Sequence, residues 1–185
     1  MRPVAHSEAI DASDWPSAAW TQPFPRHWRK TVRIESSPVY LDTSALAKLY
    51  VQETDSDELD SALVGRRDLL ISELTLTELT SAIARRVREG AVDATAAQRI
   101  YQQVFRDIRA GEYQLLDMTS ATHREAERLL LTLGRHAPIR AGDSLHLAIA
   151  ALADAHALIT YDYQMHALAS ALGTFEVLPR ELRAL

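Results

Sequence analysis

The sequence predicts an α/β domain over residues 37–185, built on a central, mainly parallel sheet of four to five strands with helices on both faces. Three observations carry this expectation. Short apolar runs alternate along the chain with longer segments of helical period, and strands separated by helices pair in parallel. The first of these runs is apolar throughout rather than alternating, as in a strand covered on both sides. Gly65, Gly90, Gly111, Gly134 and Gly173 each follow a helical segment, at the C-terminal position where glycine takes the left-handed conformation cheaply.

Taken in order, Val39, Tyr40 and Leu41 read as the first strand, and Asp42 falls at its carboxyl end. Thr43 and Ser44 start a helix, with Leu46, Leu49 and Tyr50 at helical spacing behind them. A second helix spans residues 54–64, its first turn rich in acids as the helix dipole prefers. Residues 69–72 form the second strand. Residues 75–88 form a strong helix whose apolar face is Leu76, Leu79, Ile83 and Val87. Asp93 caps a helix reaching about residue 109, and residues 113–116 are the third strand. Thr119 or Ser120 opens a helix to residue 133. Gly142 and Asp143 open another that is apolar nearly all round, which requires a buried, central position. Residues 157–160 are the fourth strand, 163–172 the last helix and 175–178 the final strand.

Residues 1–36 hold four of the seven prolines, all three tryptophans and no glycine, without a period of 2 or 3.6. They are expected to be an irregular extension, disordered or loosely packed, in which Trp15, Trp20 and Trp28 have no core of their own. The chain lacks cysteine, which excludes disulfides, thiolate metal sites and cysteine nucleophiles. No apolar run is long enough to span a bilayer, and no apolar stretch follows Arg2, so a cytoplasmic protein without a membrane partner is expected. The net charge of −5 does not announce a nucleic-acid binder, although acids gathered around a cation are neutralised by it.

Four acids interrupt apolar sequence: Asp42 after the first strand, Glu78 between Leu76 and Leu79, Asp143 in the first turn of the buried helix, and Asp162 after the fourth strand. Asp42 alone could be a helix cap. Four converging carboxylates repel one another unless a cation holds them. Oxygen donors without cysteine, and without HxxH or HExxH spacing, favour Mg²⁺ or Mn²⁺. Such an ion activates water and polarises a phosphoryl oxygen, which points to phosphodiester hydrolysis. Other groups carry plainer explanations. Glu73 and Asp117 suit helix-start and turn positions, and His146 a hydrogen-bonded core position. Asp154 and His156 mark a turn, and Ser44 lacks a histidine–acid relay.

Leu41-Asp42-Thr43-Ser44-Ala45-Leu46, Ser72 followed by Thr77-Glu78-Leu79, Gly142-Asp143-Ser144-Leu145-His146-Leu147-Ala148 and Thr160-Tyr161-Asp162 together resemble the PIN-domain ribonucleases, specifically the VapC-type toxins of type II toxin–antitoxin pairs. The resemblance covers about residues 38–180 and implies a PIN-like three-layer fold. It implies Asp42, Glu78, Asp143 and Asp162 as metal ligands, with Thr160 as a hydrogen-bonding helper. It also implies a Mg²⁺- or Mn²⁺-dependent endoribonuclease toxin, dimeric and inhibited by a cognate antitoxin protein. The extension at 1–36 is not part of that pattern. RNA requires cations, and Arg85, Arg86 and Arg140 are the first candidates for phosphate contacts, ahead of Arg66, Arg67, Arg124 and Arg128. The alternatives are a magnesium-dependent nuclease acting on DNA and a catalytically idle module that binds RNA or protein.

Overall fold

A computed structural model describes residues 37–179. The extension expected at 1–36, with its three tryptophans, lies outside the described residues.

Five strands and seven helices follow one another in the described chain: β1 (Val39–Leu41), α1 (Thr43–Tyr50), α2 (Ser56–Leu63), β2 (Leu69–Ser72), α3 (Glu73–Arg88), α4 (Ala94–Ala110), β3 (Gln114–Leu116), α5 (Ser120–Leu133), α6 (Ala141–Leu152), β4 (Ala157–Ile159), α7 (Tyr163–Leu172) and β5 (Glu176–Leu178). The sheet runs β3-β2-β1-β4-β5 with every pairing parallel. β1, β2 and β4 are buried at every residue, which explains why their sequences are apolar without alternation.

Neighbouring side chains of one strand enter different cores. Val39 and Leu41 pack with Leu69, Ile71 and Ile159 against α1 to α4, whereas Tyr40 packs with Leu70 and Leu158 against α5 to α7. This is the three-layer arrangement with helices on both faces. α6 supplies Leu147, Ala148, Ile149 and Ala150 to the second core, all buried, as its continuous apolar sequence requires.

Helix starts follow local chemistry. Asp42, Ser72, Asp93, Thr119 and Asp162 each accept a backbone N–H of the helix they precede. Four glycines take positive φ as expected, but Gly134 does not: it stays right-handed at φ −62°. Its glycine is explained by space, since a Cβ there would lie 2.3 Å from the Leu130 carbonyl oxygen.

The sheet order fixes where a site can form. From β1 the chain moves outward through β2 to β3 and then returns to β4 on the other side of β1. The switch point therefore lies between β1 and β4, and crevices at such points lie beyond the carboxyl ends of the strands.

Candidate active site at the β1–β4 switch point

Leu41 and Ile159 are partners in the β1–β4 register, so Asp42 and Thr160 leave the sheet side by side. The Thr160 hydroxyl donates to Asp42 Oδ2 at 2.6 Å. Asp42 Oδ1 accepts from the Ala45 N–H at 2.9 Å and from the Ser44 hydroxyl at 2.7 Å. Asp42 is thus a helix cap and more: it is a buried carboxylate held by three donors. Burial raises its carboxyl above the ordinary value of 3.8, and the hydrogen bond from Thr160 works against that rise.

Asp162 is tied to the same corner. Its N–H donates to the Thr160 hydroxyl at 3.1 Å, while its Oδ1 caps α7 by accepting from the Gln164 and Met165 N–H groups. Ser44, which sequence reasoning set aside as a nucleophile, accepts the Tyr161 N–H at 2.7 Å and so stitches α1 to the segment after β4.

Glu78 approaches from α3. Its Oε2 accepts from the Thr43 hydroxyl at 2.6 Å and lies 2.9 Å from His146 Nε2. The hydrogen bond from His146 holds its carboxyl below the usual range, against the opposing pull of burial. Its Oε1 faces the first turn of α6, where a Cβ on Gly142 would stand only 2.9 Å from it. The next residue is Asp143, whose Oδ2 accepts from the Arg140 N–H at 3.0 Å.

Three of the acids are therefore joined through one another's neighbours, Asp42 to Asp162 through Thr160 and Asp42 to Glu78 through Thr43, while Asp143 sits on the α6 turn that Glu78 Oε1 faces. One oxygen of Glu78, Asp143 and Asp162 is anchored and the other accepts no donor among the described residues. Among those residues, no three Asp, Glu or His side chains are already gathered tightly enough to hold an ion.

Other predicted positions fall elsewhere. Glu73 Oε2 accepts the Met118 N–H, fastening the loop after β3. Asp154 makes the turn before β4 with φ +52°. Arg86 pairs with Glu53, Arg66 with Asp68, Arg67 with Glu112 and Arg128 with Glu125. Arg85 and Arg140 are exposed. A cleft of about 280 Å³ runs along α3 from Glu78 past Ser81 and Ala82 to Arg85 and Arg88. Sequence reasoning named Ser72 only as part of the family motif and missed Tyr40 and Thr75; the three hydroxyls form a buried cluster with His146.

A family model of the PIN domain matches residues 39–171. The chain belongs to the PIN-domain family. Ribonuclease VapC35 of Mycobacterium tuberculosis is 32% identical over 153 residues, a match covering 78% of this chain and 99% of that relative. Among solved structures, FitAcB from Neisseria gonorrhoeae superposes with a TM-score of 0.59 at 15% identity, over 75% of this chain and 95% of the other. VapC20 of Mycobacterium tuberculosis, described as a toxin cleaving the sarcin–ricin loop, gives 0.58 at 18% identity, over 76% and 99%. The PIN-domain fold and the VapC-type likeness thus agree with the layers and switch point described above.

Proposed function

We propose that this PIN-domain protein is a divalent-metal-dependent endoribonuclease, the toxin of a toxin–antitoxin pair, with Asp42, Glu78, Asp143 and Asp162 as the metal-holding acids. The observation that carries the proposal is the meeting of Asp42, Thr160 and Asp162 at the sheet's switch point, with Glu78 and the first turn of α6 closing on it. Relatedness to a VapC ribonuclease supports RNA as the substrate.

The donor set fits Mg²⁺ or Mn²⁺: carboxylate oxygens alone, each braced by hydrogen bonds that leave lone pairs open. When bound, such an ion supplies an activated water and polarises the scissile phosphoryl oxygen. The chain's own residues do the rest. Thr160 and Ser44 fix the Asp42 carboxylate, and Thr43 and His146 fix Glu78. Placing an anionic phosphodiester among four acids is unfavourable without a cation, so the acids also make the site depend on one. Arg85 and Arg88 face the cleft that begins at Glu78, and Arg140 stands at the entrance to α6; we assign these three to flanking phosphates. Arg86 is engaged by Glu53 and reaches a phosphate only by leaving that pair. A cognate antitoxin protein and a homodimer are the partners this reading implies.

No helix among the described residues is long and apolar enough to cross a membrane. The cysteine-free composition fits the reducing cytoplasm, and an RNA substrate places the proposed activity there.

The test is cleavage of total RNA by purified protein with Mg²⁺ or Mn²⁺, with EDTA, and with Asp42→Ala and Asp143→Ala. Discrete fragments that need both the metal and the acids are expected. Cleavage that persists in EDTA or in the Asp42→Ala protein would overturn the assignment.

A further inference from the structure

A row of polar side chains crosses the core beneath the site. Tyr40 is fully buried, as are Ser72 and Thr75, and His146 is 3% exposed. The Tyr40 hydroxyl lies 2.8 Å from Ser72 Oγ, 3.3 Å from Thr75 Oγ1 and 2.7 Å from His146 Nδ1. On the far side of the ring, Nε2 lies 2.9 Å from Glu78 Oε2. No buried side-chain nitrogen or oxygen among the described residues lacks a partner. Apolar residues of similar shape would fill this space at little or no loss of stability, so packing alone does not account for a polar row that ends on a site acid.

With Glu78 ionised and the imidazole neutral, counting donors and acceptors gives the row one direction, and this neutral form is the one we assign. An ionised Glu78 accepts only, so Nε2 must carry the proton that points at Oε2. A neutral ring then leaves Nδ1 bare, and the one group within reach to supply it is the Tyr40 hydroxyl. Tyr40 oxygen in turn accepts from Ser72 or Thr75, which are free to donate because Ser72 Oγ already accepts from the Thr75 N–H and Thr75 Oγ1 from the Ser72 N–H. Every hydroxyl in the row is used once as a donor without conflict.

We propose that Tyr40 and His146 are positioning residues that hold Glu78 by Oε2 and thereby present Oε1 to the first turn of α6. The proposal deepens the reading of Glu78 as a metal-holding acid and rests on it for its consequence. A ring fixed by Tyr40 cannot swing away, so Glu78 is held by His146 and Thr43 on one oxygen while the other stays open beside Gly142. Partners behind a ligating group commonly govern metal affinity.

The test uses the full chain. In metal-free protein, ¹⁵N NMR of the His146 ring at neutral pH should show a bare, hydrogen-bonded Nδ1 and a protonated Nε2; a proton on Nδ1 overturns the assigned direction. Tyr40→Phe keeps the ring in the core and should shift both ring nitrogens and the Glu78 carboxyl ¹³C signal. Mn²⁺ titration should then show affinity about tenfold weaker in Tyr40→Phe and in His146→Leu. His146→Gln, which returns an N–H near the Nε2 position, should restore most of it. Unchanged Glu78 signals and Mn²⁺ affinity in Tyr40→Phe would overturn the proposal. Wild-type protein that binds no Mn²⁺ while the NMR pattern holds would overturn the metal reading of Glu78 and leave the strut itself standing.

Discussion

Thr160 donates to Asp42 Oδ2 at 2.6 Å, joining two residues 118 positions apart that leave neighbouring parallel strands at the same level. The bond exists because the chain switches sides of the sheet between β1 and β4. Thr160 is wholly buried and also accepts the Asp162 N–H, so it couples the two acids at this corner.

Thr160→Val preserves shape and removes the hydroxyl, leaving Asp42 short of one donor and the Asp162 N–H without its acceptor. A loss of about 1–3 kcal/mol is expected in urea denaturation of the metal-free protein. Thr160→Ser should recover most of it. Equal stability of the Val and Ser proteins would show that the hydroxyl does not support the fold.

Asp42 itself is expected to cost stability. Its folded carboxyl titrates above the unfolded value of 3.8, so in the folded state it resists ionisation. Its contribution is fully present below pH 3.8 and is lost as pH rises through the folded value. Asp42→Asn carries no charge, while its amide can still accept from Ala45 and donate toward Thr160. In EDTA, its urea midpoint should match wild type near pH 3 and exceed it increasingly toward neutrality, while metal-dependent cleavage is lost. A midpoint below wild type at pH 7 would mean that the three donors outweigh desolvation.

The basic side chains of α3 should separate by function. Arg85→Ala with Arg88→Ala opens the cleft beside Glu78 and should lower the salt slope of single-stranded RNA binding by about 1.4, or 0.7 for each lost contact. Arg86→Ala should leave that slope unchanged and cost at most about 1 kcal/mol, because its pair with Glu53 is partly exposed. A slope altered by Arg86 rather than by its neighbours would reverse the assignment.

How much of this was legible beforehand depends on how local each signal is. The elements were legible because period and capping are local: Asp93, Thr119 and Gly173 end or begin helices where their chemistry says they should. The four acids stood out because a carboxylate inside apolar sequence needs a reason. Tyr40 did not stand out, since a tyrosine between Val39 and Leu41 is an ordinary strand residue. Its partners are 32, 35 and 106 positions away and become neighbours only when β1 lies beside β2 and under α6. The available hint was Ser72, a hydroxyl closing an otherwise apolar strand that proved wholly buried. Gly134 misled for the opposite reason: its position after a helix suggested backbone freedom, whereas the tight approach of Leu130 explains it.

Gly142 offers the sharpest separation of stability from activity. It is the second residue of α6, where alanine is a better helix former by up to about 1 kcal/mol. Its backbone needs no positive φ, so Gly142→Ala strains nothing locally. The new Cβ, however, would stand 2.9 Å from Glu78 Oε1, and the yielding partner is the end of a side chain rather than backbone. Glu78 must turn, which disturbs its bonds to Thr43 and His146 and moves the open oxygen away from Asp143. Thermal melting of Gly142→Ala should therefore stay close to wild type, the helix gain offsetting the disturbed Glu78 bonds, while Mn²⁺ affinity and RNA cleavage both fall about tenfold. Glu78→Asp in the same background shortens the side chain by one methylene and should lessen the clash, giving better Mn²⁺ binding than Gly142→Ala alone. If Gly142→Ala keeps full affinity, then Oε1 is not the oxygen that faces the ion.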